Sequence, residues 1–357
     1  MSKEINSEML LLARESRGKS QSLLAKELRV SQATISKAEK GQIQLTDTLL
    51  GDIANALGYP VDFFYQQGYS YPPVTPFHRK KSGLGRKLQQ KIEANANVRR
   101  LHVQKLLDSI DIEPLKLPFF DLDEYATASN AAIALRRYLQ LPKGPISNLT
   151  GIIENFGIPV LLCDFETQQL DGFTIFGKGN IPLIFVDKNR PWCRIRFTLA
   201  HELGHIVMNH VHRPEIEKEA DEFASSFLMP EEDIEKDFWG KRISIRELAD
   251  LKPYWKVSMQ ALLARAGHLG YLTSNQTRYL WINMGKAGFR KREPSYLDIP
   301  PEQPTLFESI INLHKTELEY TDDDLLAMLA TSAEIFYCLY PALRKQEEKP
   351  VKLRLIQ

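Results

Sequence analysis

The chain has 357 residues, 43% hydrophobic and 25% charged, the ordinary composition of a soluble globular protein with room for two or three domains. Its 46 basic and 45 acidic residues leave a net charge of +1, so bulk charge points to no polyanionic partner and any nucleic-acid contact must rest on a local face. Cys163, Cys193 and Cys338 are scattered without metal-site spacing and read as thiols in a reducing compartment; the opening residues do not read as a secretion signal, and no apolar run nears a membrane span. A cytoplasmic protein with no membrane partner is expected.

The first residues predict a compact helical unit. Met9 to Ala13 start one helix, Ser20 caps a second, and Ser31 caps a third that Gly41 closes. Leu49, Leu50, Ile53, Ala54 and Leu57 mark a fourth, and Pro60-Val-Asp-Phe-Phe begins a fifth. Two short helices joined by the Arg29-Val30 turn make a helix-turn-helix, with Ala25, Val30 and Ile35 as packing positions. The pattern Gln-x-x-x-Ala-x-x-x-x-Val-Ser-x-x-x-Ile-Ser-x-x-Glu-x-Gly resembles the Cro/repressor (XRE) type of DNA-binding domain. Gln32, Ala33, Thr34 and Lys37 open the recognition helix, where Gln suits adenine, Ala and Thr a thymine methyl, and Lys guanine or phosphate. Gln21, at a helix N-terminus, is placed for a phosphate. The opposing reading is a helical protein-docking domain.

Tyr69 to Pro76 reads as a proline-rich linker. Arg79, Lys80, Lys81, Arg86, Lys87, Lys91, Arg99, Arg100 and Lys105 follow, with Leu84, Leu88, Ile92, Ala96, Val103, Leu107 and Ile110 at helical spacing. This long basic amphipathic helix is either a phosphate contact or a solvated structural face. A helix near 131–139 and a strand at 158–163 come next. Residues 172–176 and 181–186 read as a hairpin, the latter strand expected to hold substrate as an added strand. Arg194 and Arg196 are candidates for an oxyanion contact or, more simply, for structural ion pairs.

The most specific signal is His201-Glu202-Leu203-Gly204-His205. Residues four apart share a helix face, so His201 and His205 can grip one metal ion, and Glu202 can deprotonate a water there. The apolar stripe of Leu199, Ala200, Leu203, Ile206 and Val207 sets the pair at the edge of a buried helix. A third histidine in the x-x-Gly-x-x-His register is missing: Met208 and Val211 occupy those positions. The third ligand is therefore expected from the helix of residues 215–230. Glu217 and Asp221 share a face there, Glu217 as ligand and Asp221 as acceptor for a ligand imidazole, with Glu219 the alternative ligand expected to face water.

Phe197-Thr-x-Ala-His-Glu-Leu-Gly-His205, followed by Glu-x-Glu-Ala-Asp-x-Phe-Ala and Leu-Met-Pro, resembles the ImmA/IrrE family of bacterial metallopeptidases over about residues 146–304. The resemblance implies cleavage of transcriptional repressors. Beyond it, Leu248, Leu251, Trp255, Val257, Leu262, Leu263 and Ala266 predict helices capped in part by Ser258. Thr321 caps one more, and Ala327, Leu329, Phe336 and Leu339 suit packing or dimerisation.

The expected fold is α+β and mostly helical. A five-helix DNA-binding domain spans 1–68, and a linker and basic helix 69–115. A zincin-like peptidase domain with a small sheet and the HExxH helix spans 116–240, and a C-terminal helical region 241–357. The expected function is a DNA-binding zinc endopeptidase, with manganese the alternative metal. Its expected partners are a repressor substrate, double-stranded DNA and a second copy of the chain. The competing reading is a transcription regulator whose metal site is structural or sensory and never turns over.

Overall fold

The computed structural model describes residues 4–67, 84–110, 117–208 and 215–344, with the side chain of residue 178 left aside. Expectations for the linker from Tyr69 to Pro76, for Arg79, Lys80 and Lys81, and for Val211 lie outside the described residues. The rest divides into two compact units, one of residues 4–67, 85–109 and 310–344, the other of the intervening chain to residue 309.

The first unit begins with α1 (Ser7–Ser16), α2 (Gln21–Glu27), α3 (Gln32–Glu39) and α4 (Asp47–Leu57). A single 3-10 turn, Val61–Tyr65, takes the place of the fifth helix. Ser20, Ser31 and Thr46 each accept a backbone N–H three residues on, satisfying a donor the helix cannot. Such caps contribute about 1 kcal/mol apiece. Leu10, Leu24, Ile35, Ile53, Phe63 and Phe64 are buried together at the centre of the sequence pattern.

Helix α5 (Arg86–Asp108) joins the same unit. Arg86 and Lys87 are exposed and Lys91 and Lys105 half-buried, but Arg99 and Arg100 are buried, which takes these two out of the basic face expected to meet phosphate. The physical reason lies at the other end of the chain. Arg99 donates through Nη2 to the carbonyl of Leu339 (3.0 Å) and Lys105 through Nζ to that of Met328 (2.9 Å). Cations there satisfy carbonyls that have no partner within their own helices.

The second unit runs through α6 (Leu122–Tyr125), α7 (Ala128–Tyr138), α8 (Leu149–Asn155), β1 (Val160–Cys163), β2 (Gly172–Phe176) and β3 (Pro182–Asp187). It continues as α9 (Trp192–Val207), α10 (Ile216–Leu228), α11 (Glu231–Phe238), α12 (Ile245–Trp255), α13 (Met259–His268) and α14 (Ser274–Lys286). The sheet order is β1-β3-β2, with β3 parallel to β1 and antiparallel to β2. The 181–186 segment thus falls on the central strand, whose six residues Pro182–Asp187 are all buried and which is paired on both sides, so it cannot accept an added strand. The outer strands are β1 and β2. One core joins α9, α10, α12 and α13 through Leu199, Leu203, Phe223, Phe227, Trp255 and Leu262, so this unit continues well past the expected boundary at 240. A strap from Glu293 to Leu306 closes over it. Glu293 accepts from Lys252 Nζ (2.8 Å), Glu302 from the amides of Leu149 (2.8 Å) and Thr150 (3.2 Å), and Glu154 from those of Thr305 (2.8 Å) and Leu306 (3.1 Å).

Helices α9 and α10 pack at unusually close range. A side chain at Gly204 would bring a Cβ to 2.9 Å from Phe223 Cδ1. What lies against this glycine is an aromatic side chain. Chain connectivity then returns through α15 (Leu306–Thr316) to the first unit, where α16 (Asp322–Leu329) and α17 (Ala333–Leu339) lie. Thr321 and Asp324 form a reciprocal cap at the start of α16.

Two outcomes test this packing. Gly204→Ala gains up to ~1 kcal/mol of helix propensity but overpacks against Phe223 at a cost of about 1–3 kcal/mol, so the melting temperature falls. In the first unit His102 is buried beside Tyr340, its Nδ1 3.2 Å from the hydroxyl, and burial pushes its pKa down to about 3 from the usual 6.5. The unfolded chain then binds the extra proton, so stability falls as pH drops below 6.5 towards 3. His102→Leu gives a shallower slope in denaturant titrations between about pH 4.5 and 6.5, above most carboxylates.

Candidate metal centre and recognition helix

Helix α9 carries His201 and His205 one turn apart, and α10 brings Glu217 against them. The two imidazole Nε2 atoms lie 3.0 Å apart, and the Glu217 carboxylate oxygens lie 3.6 Å from His201 Nε2 and 3.7 Å from His205 Nε2. With metal–donor bonds of about 2.0–2.2 Å, the edges of a tetrahedron measure roughly 3.3–3.6 Å, close to the spacing of the two imidazoles and of the Glu217 carboxylate, whose Oε2 faces His201 and Oε1 faces His205. Among the described residues this is the one cluster of potential metal ligands. His201 Nδ1 meets Asp221 Oδ1 at 2.8 Å. That bond fixes the tautomer in which Nε2 presents a lone pair to the cluster. Burial disfavours the protonated form of His201, yet Asp221, Glu217 and Glu202 together push its pKa up to about 10. Two imidazole nitrogens facing each other beside carboxylates attract positive charge, and a divalent cation supplies it better than a proton.

Glu219 lies outside the cluster. It does not face water as expected: the residue is half-buried and one carboxylate oxygen is shielded. Its position on α10 turns it away from the donors that Glu217 reaches.

Glu202 is almost fully buried, 4% exposed, and burial raises its pKa above the ordinary carboxylate range. One oxygen, Oε2, accepts a hydrogen bond from Thr174 Oγ1 at 2.7 Å. Sequence reasoning passed over Thr174, although a lone threonine inside the apolar run Gly172-Phe-Thr-Ile-Phe176 is the kind of buried polar residue that needs a partner. Arg196, with no exposed surface, donates to the carbonyls of Lys256 (3.1 Å) and Ile146 (2.8 Å) and pairs with Glu302. Arg194 pairs with Asp171 at 2.7 Å. Both arginines are therefore held in structural pairs.

A groove of 1230 Å3 runs past these residues. Asp171, Gly172 of β2, Thr198 of α9, Ser225 of α10 and Ala264 of α13 are among its walls. That volume exceeds what most small ligands need and suits a length of polypeptide.

In the first unit the expected recognition residues sit where α3 begins. Gln32, Ala33 and Lys37 are exposed, while Thr34 is half-buried with its hydroxyl 2.8 Å from the capping Ser31. Gln21 is half-buried and engaged: Gln32 donates to it at 2.6 Å and it donates to Glu39 at 2.7 Å. Glu39 is in turn paired with the buried Arg14.

Residues 153–266 match the peptidase family model described as IrrE N-terminal-like domain, and residues 10–64 match the family model described as helix-turn-helix. The chain joins these two domain types. No curated protein matches it. The IrrE-like span opens in α8 and closes in α13, so it contains β2, the histidine pair, Glu202 and Glu217, and leaves the strap outside. No described helix is long and apolar enough to cross a membrane.

Metal content discriminates between the two glutamates. Glu217→Ala loses bound zinc in elemental analysis, whereas Glu219→Ala retains it. Asp221→Ala weakens zinc about 10–100-fold in a chelator competition, as loss of an outer partner does elsewhere.

Proposed function

We propose that this protein is a zinc-dependent endopeptidase tethered to its own DNA-binding domain. In this reading it is a cytoplasmic protein whose substrate is a transcriptional repressor or a related regulator. The observation that carries the reading is the convergence of His201, His205 and Glu217 at a spacing that suits one small cation, with a further carboxylate, Glu202, beside them and outside the donor set. A site serving structure alone closes its fourth position with another protein donor and has no use for a base.

The donor chemistry fits zinc, with manganese as the alternative in a carboxylate-containing set. Zinc held by His201, His205 and Glu217 would supply Lewis acidity for the scissile carbonyl and lower the pKa of water. The chain's own groups do the rest. Asp221 keeps His201 in the ligating tautomer. Glu202, its pKa raised by burial, accepts a proton from the attacking water and returns it to the leaving amine. The substrate backbone extends along the outer edge of β2, the role first expected of the central strand.

The helix-turn-helix supplies the second half of the function. Gln32, Ala33, Thr34 and Lys37 would read base edges, with Gln21 orienting Gln32. A single copy binds weakly, so two copies on paired half-sites are the expected arrangement on double-stranded DNA. DNA binding would then bring the peptidase to regulators bound nearby, or set control of its own expression.

The decisive experiment incubates the zinc-loaded protein with transcription regulators encoded beside it and reads fragments by mass spectrometry. Glu202→Gln keeps zinc and operator binding but abolishes the fragments. Equal processing by wild type and Glu202→Gln would sink the catalytic assignment and favour the regulator with a sensory metal site. Gln32→Ala together with Lys37→Ala weakens operator binding by about 10-fold or more in a footprinting titration, given ~1–3 kcal/mol for each good base contact. Unchanged affinity would return the domain to a docking role.

A further inference from the structure

Strand β2 does more than bound the groove. Its middle residue, Thr174, is 1% exposed, and its hydroxyl is spent on Glu202 Oε2 at 2.7 Å. Valine has the same shape and would fill this buried strand position without a polar atom, so packing gives no reason for a hydroxyl here. A carboxylate has two oxygens that compete for whatever donors approach it. With Oε2 taken by Thr174, Oε1 is left for the reacting water.

We propose that Thr174 is a positioning residue that holds Glu202 by one oxygen and thereby selects the other as the proton acceptor. This inference rests on the peptidase reading. In the resulting step a water O–H bond breaks, its proton goes to Glu202 Oε1, and the water oxygen bonds to the peptide carbonyl carbon. The C–N bond then breaks as that proton passes to the departing nitrogen, and the second water proton stays with the product carboxyl group.

The strand around Thr174 is built so that the hydroxyl cannot drift. Phe173 stacks on Phe165 and Phe185, ring centroids 5.5 and 5.2 Å away. A Cβ on Gly172 would lie 2.6 Å from Thr198 Cγ2 and 2.8 Å from the Phe185 carbonyl oxygen, so only glycine lets β2 lie this close to α9. The strand offering its edge to substrate is therefore the strand that fixes the base. The distance from a bound peptide to Glu202 is set where β2 meets α9, by the close approach at Gly172 and the bond from Thr174 to Glu202.

The test compares Thr174→Val, which keeps shape, with Thr174→Ser, which keeps the hydroxyl, in the full chain. Both variants should retain stoichiometric zinc. With unfolded β-casein as probe, Thr174→Val should lose about 10–100-fold in kcat with KM within about 2-fold, and Thr174→Ser should recover most of it. The visible spectrum of the cobalt-substituted protein provides a readout independent of turnover: Thr174→Val shifts it and Thr174→Ser does not. Wild-type kcat in Thr174→Val, equal impairment in both variants, or loss of zinc from Thr174→Val would each overturn the proposal. If metal-loaded wild type leaves casein intact, the regulator incubation decides the peptidase reading, and the cobalt spectra alone decide the role of Thr174. A shift confined to valine sustains it, and no difference ends it.

Discussion

The close crossing of α9 and α10 is the constraint on which the candidate centre depends. Glu217 reaches the histidine pair because nothing larger than hydrogen stands at Gly204, where the Phe223 ring takes the space. Widening that contact by one methyl group would move a carboxylate relative to two imidazoles whose donor spacing already matches a small cation. The apolar residues flanking the crossing, Leu199, Leu203, Ala224 and Phe227, are all fully buried, so the geometry is fixed by packing that has no freedom to relax. The site is thus an outcome of helix packing first and of ligand chemistry second.

Around that core, buried charges act as fasteners more than as sources of stability. Arg196 with Glu302, and Lys252 with Glu293, lie almost wholly out of water. Desolvation cancels much of the Coulomb gain in such pairs, and their well-supported use is to specify one arrangement over others. Here each pair ties the strap after α14 to α9 or α12, which makes that segment a fixed wall of the groove.

Much of this was legible in the chain itself. The histidine pair and Glu217 could be placed because a helix repeats every 3.6 residues, and spacing alone decides which side chains share a face. The helix caps at Ser20, Ser31, Ser258 and Thr321 followed from local chemistry in the same way. What spacing could not give was order in the third dimension. Strand periodicity does not say which strand is central, so β3 was read as an edge, and the burial of all six of its residues appears only once β1 is seen beside it. Thr174 was missed because its partner lies 28 residues away, beyond any local pattern. The basic run of α5 misled for the same reason. Arg99 and Lys105 look like a solvated face until the carbonyls of Leu339 and Met328, more than two hundred positions later, are found to receive them.

That last arrangement bears on how the molecule comes into being. The unit that contains the helix-turn-helix takes α5 from the first third of the chain and α16 and α17 from the last tenth. A ribosome delivers the whole IrrE-like unit before the final helices emerge. Until then Arg99, His102 and Lys105 wait with neither their carbonyls nor Tyr340 to cover them. The nascent chain therefore completes the IrrE-like unit first and the unit containing the helix-turn-helix last, and a message truncated near its end would yield the former without a completed version of the latter.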